Sequence, residues 1–327
     1  MKLGILMVNL LRSALMILVF LMLLLSAPPE AGARFDGRRA FEFIKEQCEA
    51  GPRSPGGPGR EACLVLMERE LSALGIHTHR QKFTVPLSLI KRIAEGTNLI
   101  ALYEGDRPTS DLIALSTHWD TRPIADLDPD PALRGFPIPG GNDGGSGVAL
   151  LLELARVVKA RQYPGRILFI FFDLEDSGIP GRDTDWCLGS RHFAAHSLCD
   201  YPVSWGINVD MIADRDLKIR PELFSLEKAP DLTREFWTFA EQRAPFHFSR
   251  NPLDFGIFDD HKPFLDLGIP WINLIDFSYP PWHTHEDTPD KCSPISLEIV
   301  GNTILEFLFH HSENPVKFYL NNENQRR

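Results

Sequence analysis

The residues of this chain that could do chemistry are acids and histidines set far apart: His118, Asp143, Asp176, Asp210 and His283. Imidazole nitrogen and carboxylate oxygen are both zinc ligands, and a catalytic zinc site uses three protein ligands and keeps one position open. Asp143 stands in Gly140-Gly141-Asn142-Asp143-Gly144-Gly145-Ser146-Gly147, where missing side chains let the backbone approach a metal. Taken alone, that stretch also fits a flexible turn with a solvated aspartate. Glu175 and Asp176 are neighbours directly after an apolar run. Adjacent carboxylates repel unless a cation or a proton sits between them. A natural division makes one the ligand and the other a proton-transferring base, although Asp183 and Asp185 nearby also allow a plain acidic loop. Trp282-His283-Thr284-His285 offers a histidine flanked by an aromatic ring and a hydroxyl, in a loop after an apolar segment. His285 reads as a solvated loop residue. His192, His196, His247, His310 and His311 lack such a context and read as surface or core residues.

These side chains need elements to bring them together. Apolar runs predict strands at 99–103, 112–117, 167–172, 206–209 and 271–275, the third buried on both faces. Apolar residues at helical spacing predict helices at 40–49, 60–74, 148–159, 232–243, 262–267 and 295–310, with Ser146 placed to cap the third. Strands alternating with helices indicate an α/β domain around a largely parallel sheet. The chemistry-bearing residues fall at strand ends: His118 and Asp120, then Asp173, Glu175 and Asp176, then Asp210, then His283. The carboxyl ends of strands are where open α/β sheets bind ligands.

In this order, Ser116-Thr117-His118-Trp119-Asp120, Asn142-Asp143, the paired acids, Asn208-Val209-Asp210 and Trp282-His283-Thr284 resemble the M28 zinc peptidase family. The likeness runs from about Phe35 to His311. Within that family the chain is more similar to the glutaminyl-peptide cyclotransferases (glutaminyl cyclases) than to the aminopeptidases. Phe171-Phe172-Asp173-Leu174-Glu175-Asp176 resembles the cyclase strand end, and Asp185-Trp186-Cys187-Leu188-Gly189-Ser190-Arg191-His192 the bacterial branch. Asp259 stands where aminopeptidases usually carry Ser, and Trp282 where they often carry Tyr. Gly51-Pro52-Arg53 is also shared with the cyclases.

The resemblance implies a three-layer α/β/α sandwich with a central mixed, mostly parallel sheet. It implies one zinc ion on Asp143, Asp176 and His283, with Glu175 as proton shuttle. Asp210 and Asp259 would hydrogen-bond around Glu175, and Trp186 and Trp282 would line the pocket. Asp176 departs from the animal cyclases, which place Glu there. The segment between Asp276 and Pro281 is shorter than in the cyclases, which leaves that pocket wall open. The implied reaction is cyclisation of an N-terminal glutamine to pyroglutamate with loss of ammonia. The alternative is an aminopeptidase with two zinc ions, the second held by His118 and Asp210 with Asp143 bridging. A binding domain without catalysis fits poorly, because no ligand is missing.

Bulk properties narrow the partners. The 327 residues carry a formal charge of -10, whereas a nucleic-acid partner calls for a basic face. The resemblance implies peptide or protein N-termini as substrates, and a monomer is the expected state. Residues 1–33 have the layout of a secretory signal, with Lys2 and Arg12 ahead of an uncharged run and cleavage expected after Ala27 or Ala33. An uncleaved anchor is the alternative, and would be the one route to a membrane. Secretion or a periplasmic location follows from either. Residues 34–315 are expected to form the catalytic domain and 316–327 a polar tail. The five cysteines contain no C-x-x-C pair, so a thiolate zinc site is not expected. Their odd number leaves at least one thiol free, and Cys187 could bridge Cys199.

Overall fold

The computed structural model describes residues 33–107, 111–314 and 318. The expected signal or anchor and nearly all of the expected polar tail lie outside them. Six strands form one mixed sheet: β1 (Thr78–Leu87), β2 (Arg92–Glu104), β3 (Leu112–His118), β4 (Arg166–Phe172), β5 (Val203–Asp210) and β6 (Trp271–Ile275). Their order across the sheet is β1-β2-β4-β3-β5-β6. β2 runs antiparallel to β1 and to β4, while β4, β3, β5 and β6 run parallel. β3 and β4 are buried along almost their whole length, which is why both read as unbroken apolar runs.

Helices cover the sheet and complete the α/β/α sandwich. α1 (Gly37–Glu49), α2 (Arg60–Ala73), α3 (Gly145–Ala160) and α8 (Pro294–Glu313) pack as one group. α4 (Leu188–His196), α5 (Leu223–Lys228) and α7 (Lys262–Asp266) pack as a second, and α6 (Pro230–Arg243) contacts α5, β6 and α8. Among the described residues, no helix is long and apolar enough to cross a membrane.

Several features differ from the sequence expectation, among them two short helices, α4 and α5, that it did not predict. The β1–β2 hairpin extends well beyond the single strand at 99–103; the first half of β1, Thr78 to Lys82, is polar, and only its second half alternates, through Phe83, Val85 and Leu87. Ser146 does not cap α3. That helix starts at Gly145, one turn earlier than its apolar pattern, with Gly144 as the left-handed N-cap residue at φ 79°. The Ser146 hydroxyl donates instead to the Asn142 carbonyl at 2.6 Å and accepts from the Ile212 amide. Finally, Cys187 and Cys199 are not bridged; all five cysteines are free thiols, Cys187 buried and Cys199 exposed.

Candidate metal centre

Four parallel strands deliver their carboxyl ends to one edge of the sheet. β3 ends on His118, opposite Phe172 of β4. The chain after β4 turns sharply: Leu174 has φ 58°, a conformation a bulky side chain adopts only when its surroundings impose it. Asp120 imposes part of this turn. Its Oδ1 accepts the Glu175 amide at 3.0 Å and its Oδ2 the Asp176 amide at 3.3 Å. Buried Asp173 anchors the turn from the other side, paired with Arg60 and accepting the Thr97 amide.

Asp143 is fixed by its backbone. Asp287 accepts the Asn142 amide at 2.8 Å and the Asp143 amide at 3.1 Å, and the Tyr279 hydroxyl donates to the same carboxylate at 2.8 Å. Burial and the nearby Asp143 charge push Asp287 up to about 7. Gly144 must be glycine here, since a Cβ would run into the Asp120 carbonyl and φ is positive. His283 also sits in the left-handed region, at φ 57°. Its Nε2 lies 3.2 Å from Asp176 Oδ1 and 3.7 Å from Asp143 Oδ2, and its Nδ1 lies 3.4 Å from Asp126.

Asp143, Asp176 and His283 each offer a donor atom within 4.8 Å of the others, all three residues buried. Asp143 Oδ2 and Asp176 Oδ2 accept no hydrogen bond. Buried anionic oxygens left bare are costly unless a cation joins them. The acids already demand positive charge from the histidine. Burial works against its protonation, yet Asp176, Asp126 and Asp143 outweigh burial and raise His283 to about 9. The donor set, the bare oxygens and this demand fit a bound zinc ion.

His118, Asp143 and Asp210 form an adjoining group with the same spacing of donor atoms. Here His118 Nε2 is 3.0 Å from Asp210 Oδ1 and 3.3 Å from Asp143 Oδ1. Burial opposes a proton on His118, but Asp210 and the flanking carboxylates raise it well above the ordinary value.

Glu175 is buried beside these acids. Burial is the main reason its carboxyl is raised well above the usual range, and Asp176, Asp259 and Asp260 add to it while His118 opposes. The Cys187 thiol donates to Glu175 Oε1 at 3.3 Å. Asp259 and Asp210 do not hydrogen-bond to Glu175 as expected. Each has other partners. Asp259 accepts from Asn208 at 3.1 Å and Asn273 at 2.7 Å, and Asp210 pairs with His118. Asp259 therefore acts on Glu175 through charge.

A cavity of roughly 330 Å³ opens over the cluster, lined by Asp143, Glu175, Asp176, Trp186, Asp210, Asp259, Trp282 and His283. Every residue that the resemblance placed in the one-zinc site meets there, while His118 does not line the cavity; Phe255 and Phe277, which sequence patterns did not reveal, do. The short segment after Asp276 is a tight turn, with Ser278 bonded to the Asp276 carboxylate. It brings Phe277 within 4.8 Å of Trp282, and Trp282 within 4.1 Å of His283, between ring centres. His285 is less solvated than expected: its amide and Nδ1 both meet Asp128. Arg122, Asp126 and Asp287 are supporting residues that sequence reading did not single out, and Asp120 is one that it placed at a strand end without a role.

Comparison with known proteins agrees with this geometry. The chain is 25% identical over 284 residues to the bovine glutaminyl-peptide cyclotransferase-like protein, covering 78% of this chain and 71% of that one. It is 27% identical over 216 residues to aminopeptidase YwaD of Bacillus subtilis, covering 59% of this chain and 40% of YwaD's length. The crystal structure of Bacteroides thetaiotaomicron glutaminyl cyclase bound to N-acetylhistamine superposes with a TM-score of 0.78 at 32% identity, covering 85% of this chain and 98% of that chain. Residues 98–308 match Peptidase family M28, and the chain belongs to that family.

Proposed function

We propose that this protein cyclises the N-terminal glutamine of peptides or proteins to pyroglutamate, releasing ammonia, with one zinc ion on Asp143, Asp176 and His283. The observation that carries the metal reading is the Asp143–Asp176–His283 group itself, three buried residues with donor atoms within 4.8 Å of one another. The choice of one ion rests on the likeness to the cyclases, since His118 and His283 each place Nε2 between two of the acids. The Asp143–Asp176–His283 group keeps two bare carboxylate oxygens. The cyclase reading draws further support from Asp259 and Trp282 at the positions that distinguish cyclases, and from the likeness to bacterial glutaminyl cyclase.

When bound, zinc supplies a Lewis acid for the side-chain amide carbonyl and its developing negative charge. The substrate's α-amine attacks the amide carbon, and the carbon–nitrogen bond to the departing group breaks. Glu175 takes the proton that the amine loses and returns it to the leaving nitrogen, which departs as ammonia. A carboxyl held above its usual range suits both transfers. Trp186 and Trp282 form walls that hold the glutamine side chain, and Asp210 and Asp259 keep negative charge beside the α-amine.

A second reading is a two-zinc aminopeptidase, favoured by the presence of the complete His118–Asp143–Asp210 group. Zinc counted per chain, together with products from Gln-primed and Leu-primed peptides, separates the two. Ammonia with a blocked N-terminus and one zinc supports the cyclase. Released leucine and two zinc ions overturn it.

A further inference from the structure

Arg122 lies in the loop after β3 and is completely buried. Its guanidinium reaches three parts of the candidate metal centre at once. Nε and Nη2 donate to the two oxygens of Asp126 at 2.7 Å each. Nη1 donates to Asp176 Oδ1 at 3.2 Å, to the Asp176 carbonyl at 3.1 Å and to the Gly178 carbonyl at 3.3 Å. The guanidinium carbon lies over the Trp186 ring, 4.7 Å from its centre.

Each of these partners leads to a ligand. Asp176 is a ligand itself. Asp126 stands 3.4 Å from His283 Nδ1, so the bond between them leaves Nε2 free to face Asp143 and Asp176. The Trp186 ring is within 5° of parallel to the His283 ring, its centre 6.3 Å away. Trp186 is in turn held by its indole N–H to the Ile179 carbonyl. Two of the three ligands therefore depend on one side chain. Only a planar cation with several divergent donors can grip both carboxylates and present a face to an indole; an ammonium is a point charge.

We propose that Arg122 is a positioning residue that sets the affinity of the centre for zinc, holding Asp176 directly and His283 through Asp126 and Trp186. This rests on the metal reading above but not on which reaction the centre performs. The test uses the full chain stripped of metal and titrated with zinc against a colorimetric chelator. Arg122→Gln should weaken zinc binding about 10- to 100-fold, the range for lost partners of metal ligands. Arg122→Lys should recover only part of the loss. Asp126→Asn should also weaken binding, and combining it with Arg122→Gln should cost less than the product of the two. An arginine serving only general packing would lower the thermal midpoint of the metal-free protein and leave zinc affinity unchanged. That outcome overturns the proposal. Should Arg122→Gln fail to fold, Arg122→Lys and Asp126→Asn decide the matter, since wild-type affinity in both overturns it. Wild-type protein that binds no zinc overturns the metal reading, and this inference with it.

Discussion

The Asp120 carboxylate accepts the backbone N–H of Glu175 at 3.0 Å, and this bond ties the end of β3 to the turn that carries both acids. Replacing Asp120 by Ala strands two buried amides, because the Asp176 amide uses the same carboxylate. An unsatisfied buried donor costs about 1–3 kcal/mol. We expect Asp120→Ala to lower the denaturation midpoint accordingly, and Asp120→Asn, which retains one acceptor, to lose less. Equal midpoints for the two variants would contradict this account.

Glu175→Gln should reduce turnover of a Gln-primed peptide by about 10²-fold or more, the scale of general acid–base catalysis. The same variant should bind zinc as the wild type does, since Glu175 is not among the ligands. Single-turnover rates with metal content measured in parallel give the answer. Turnover close to wild type would remove Glu175 from the mechanism.

Metal removal should lower the thermal midpoint. A ligand that binds only the folded state adds about 2.7 kcal/mol at one hundred times its dissociation constant. Melting the chelator-treated protein with and without added zinc reads this directly, and calcium at the same concentration should do much less at a site that includes an imidazole. Identical melting curves with and without zinc would show that no ion joins Asp143 and Asp176.

Acid stability should depend on Glu222. This buried carboxylate accepts the Phe224, Ser225 and Ile257 amides and faces His261 Nε2 at 3.2 Å. Burial alone would raise it, but His261 and Ser225 outweigh burial and lower it to about 2. A lowered carboxylate contributes stability above its unfolded value near 4.3, and that contribution disappears as pH falls toward about 2. The shift corresponds to about 3 kcal/mol. Urea midpoints measured from pH 6 down to 2 should fall steeply in the wild type. In Glu222→Gln they should start lower and fall less; a parallel fall would assign the acid sensitivity to other groups.

Gly144→Ala should destabilise the fold by more than the ~1 kcal/mol of a lost glycine conformation, because the added Cβ also meets the Asp120 carbonyl. Zinc affinity should fall with it, since Asp143 is the preceding residue. An alanine variant with unchanged melting and zinc binding would show that the loop has room to spare.

The parallel strands, and the residues that meet in the candidate site, were legible in the sequence because each carries a strong local signal. β4 and β6 are short apolar runs, and Asp176 and His283 follow them closely. β1 was not legible, because its first half is polar and its alternation, Phe83, Val85 and Leu87, covers only five residues and includes a proline. α4 was missed for a related reason: it starts from left-handed Cys187 and has no side-chain cap. The supporting residues were hidden by distance. Asp287 meets Asp143 across 144 positions, and no local pattern marks such a pair. Arg122 and Asp126 are spaced as on a helix, yet they lie in a loop, so their pairing shows only in the folded chain.

Asp143, Asp176 and His283 hang from loops that follow β3, β4 and β6, across 140 positions of the chain. No fragment that stops short of β6 contains the group. During synthesis the acids of the first two loops emerge while their histidine is still to be made. The growing chain therefore has no complete place for a metal ion until its last strand docks against β5. On the metal reading, capture of the ion would be a late event in the protein's biogenesis, and a signal that the whole sheet has assembled.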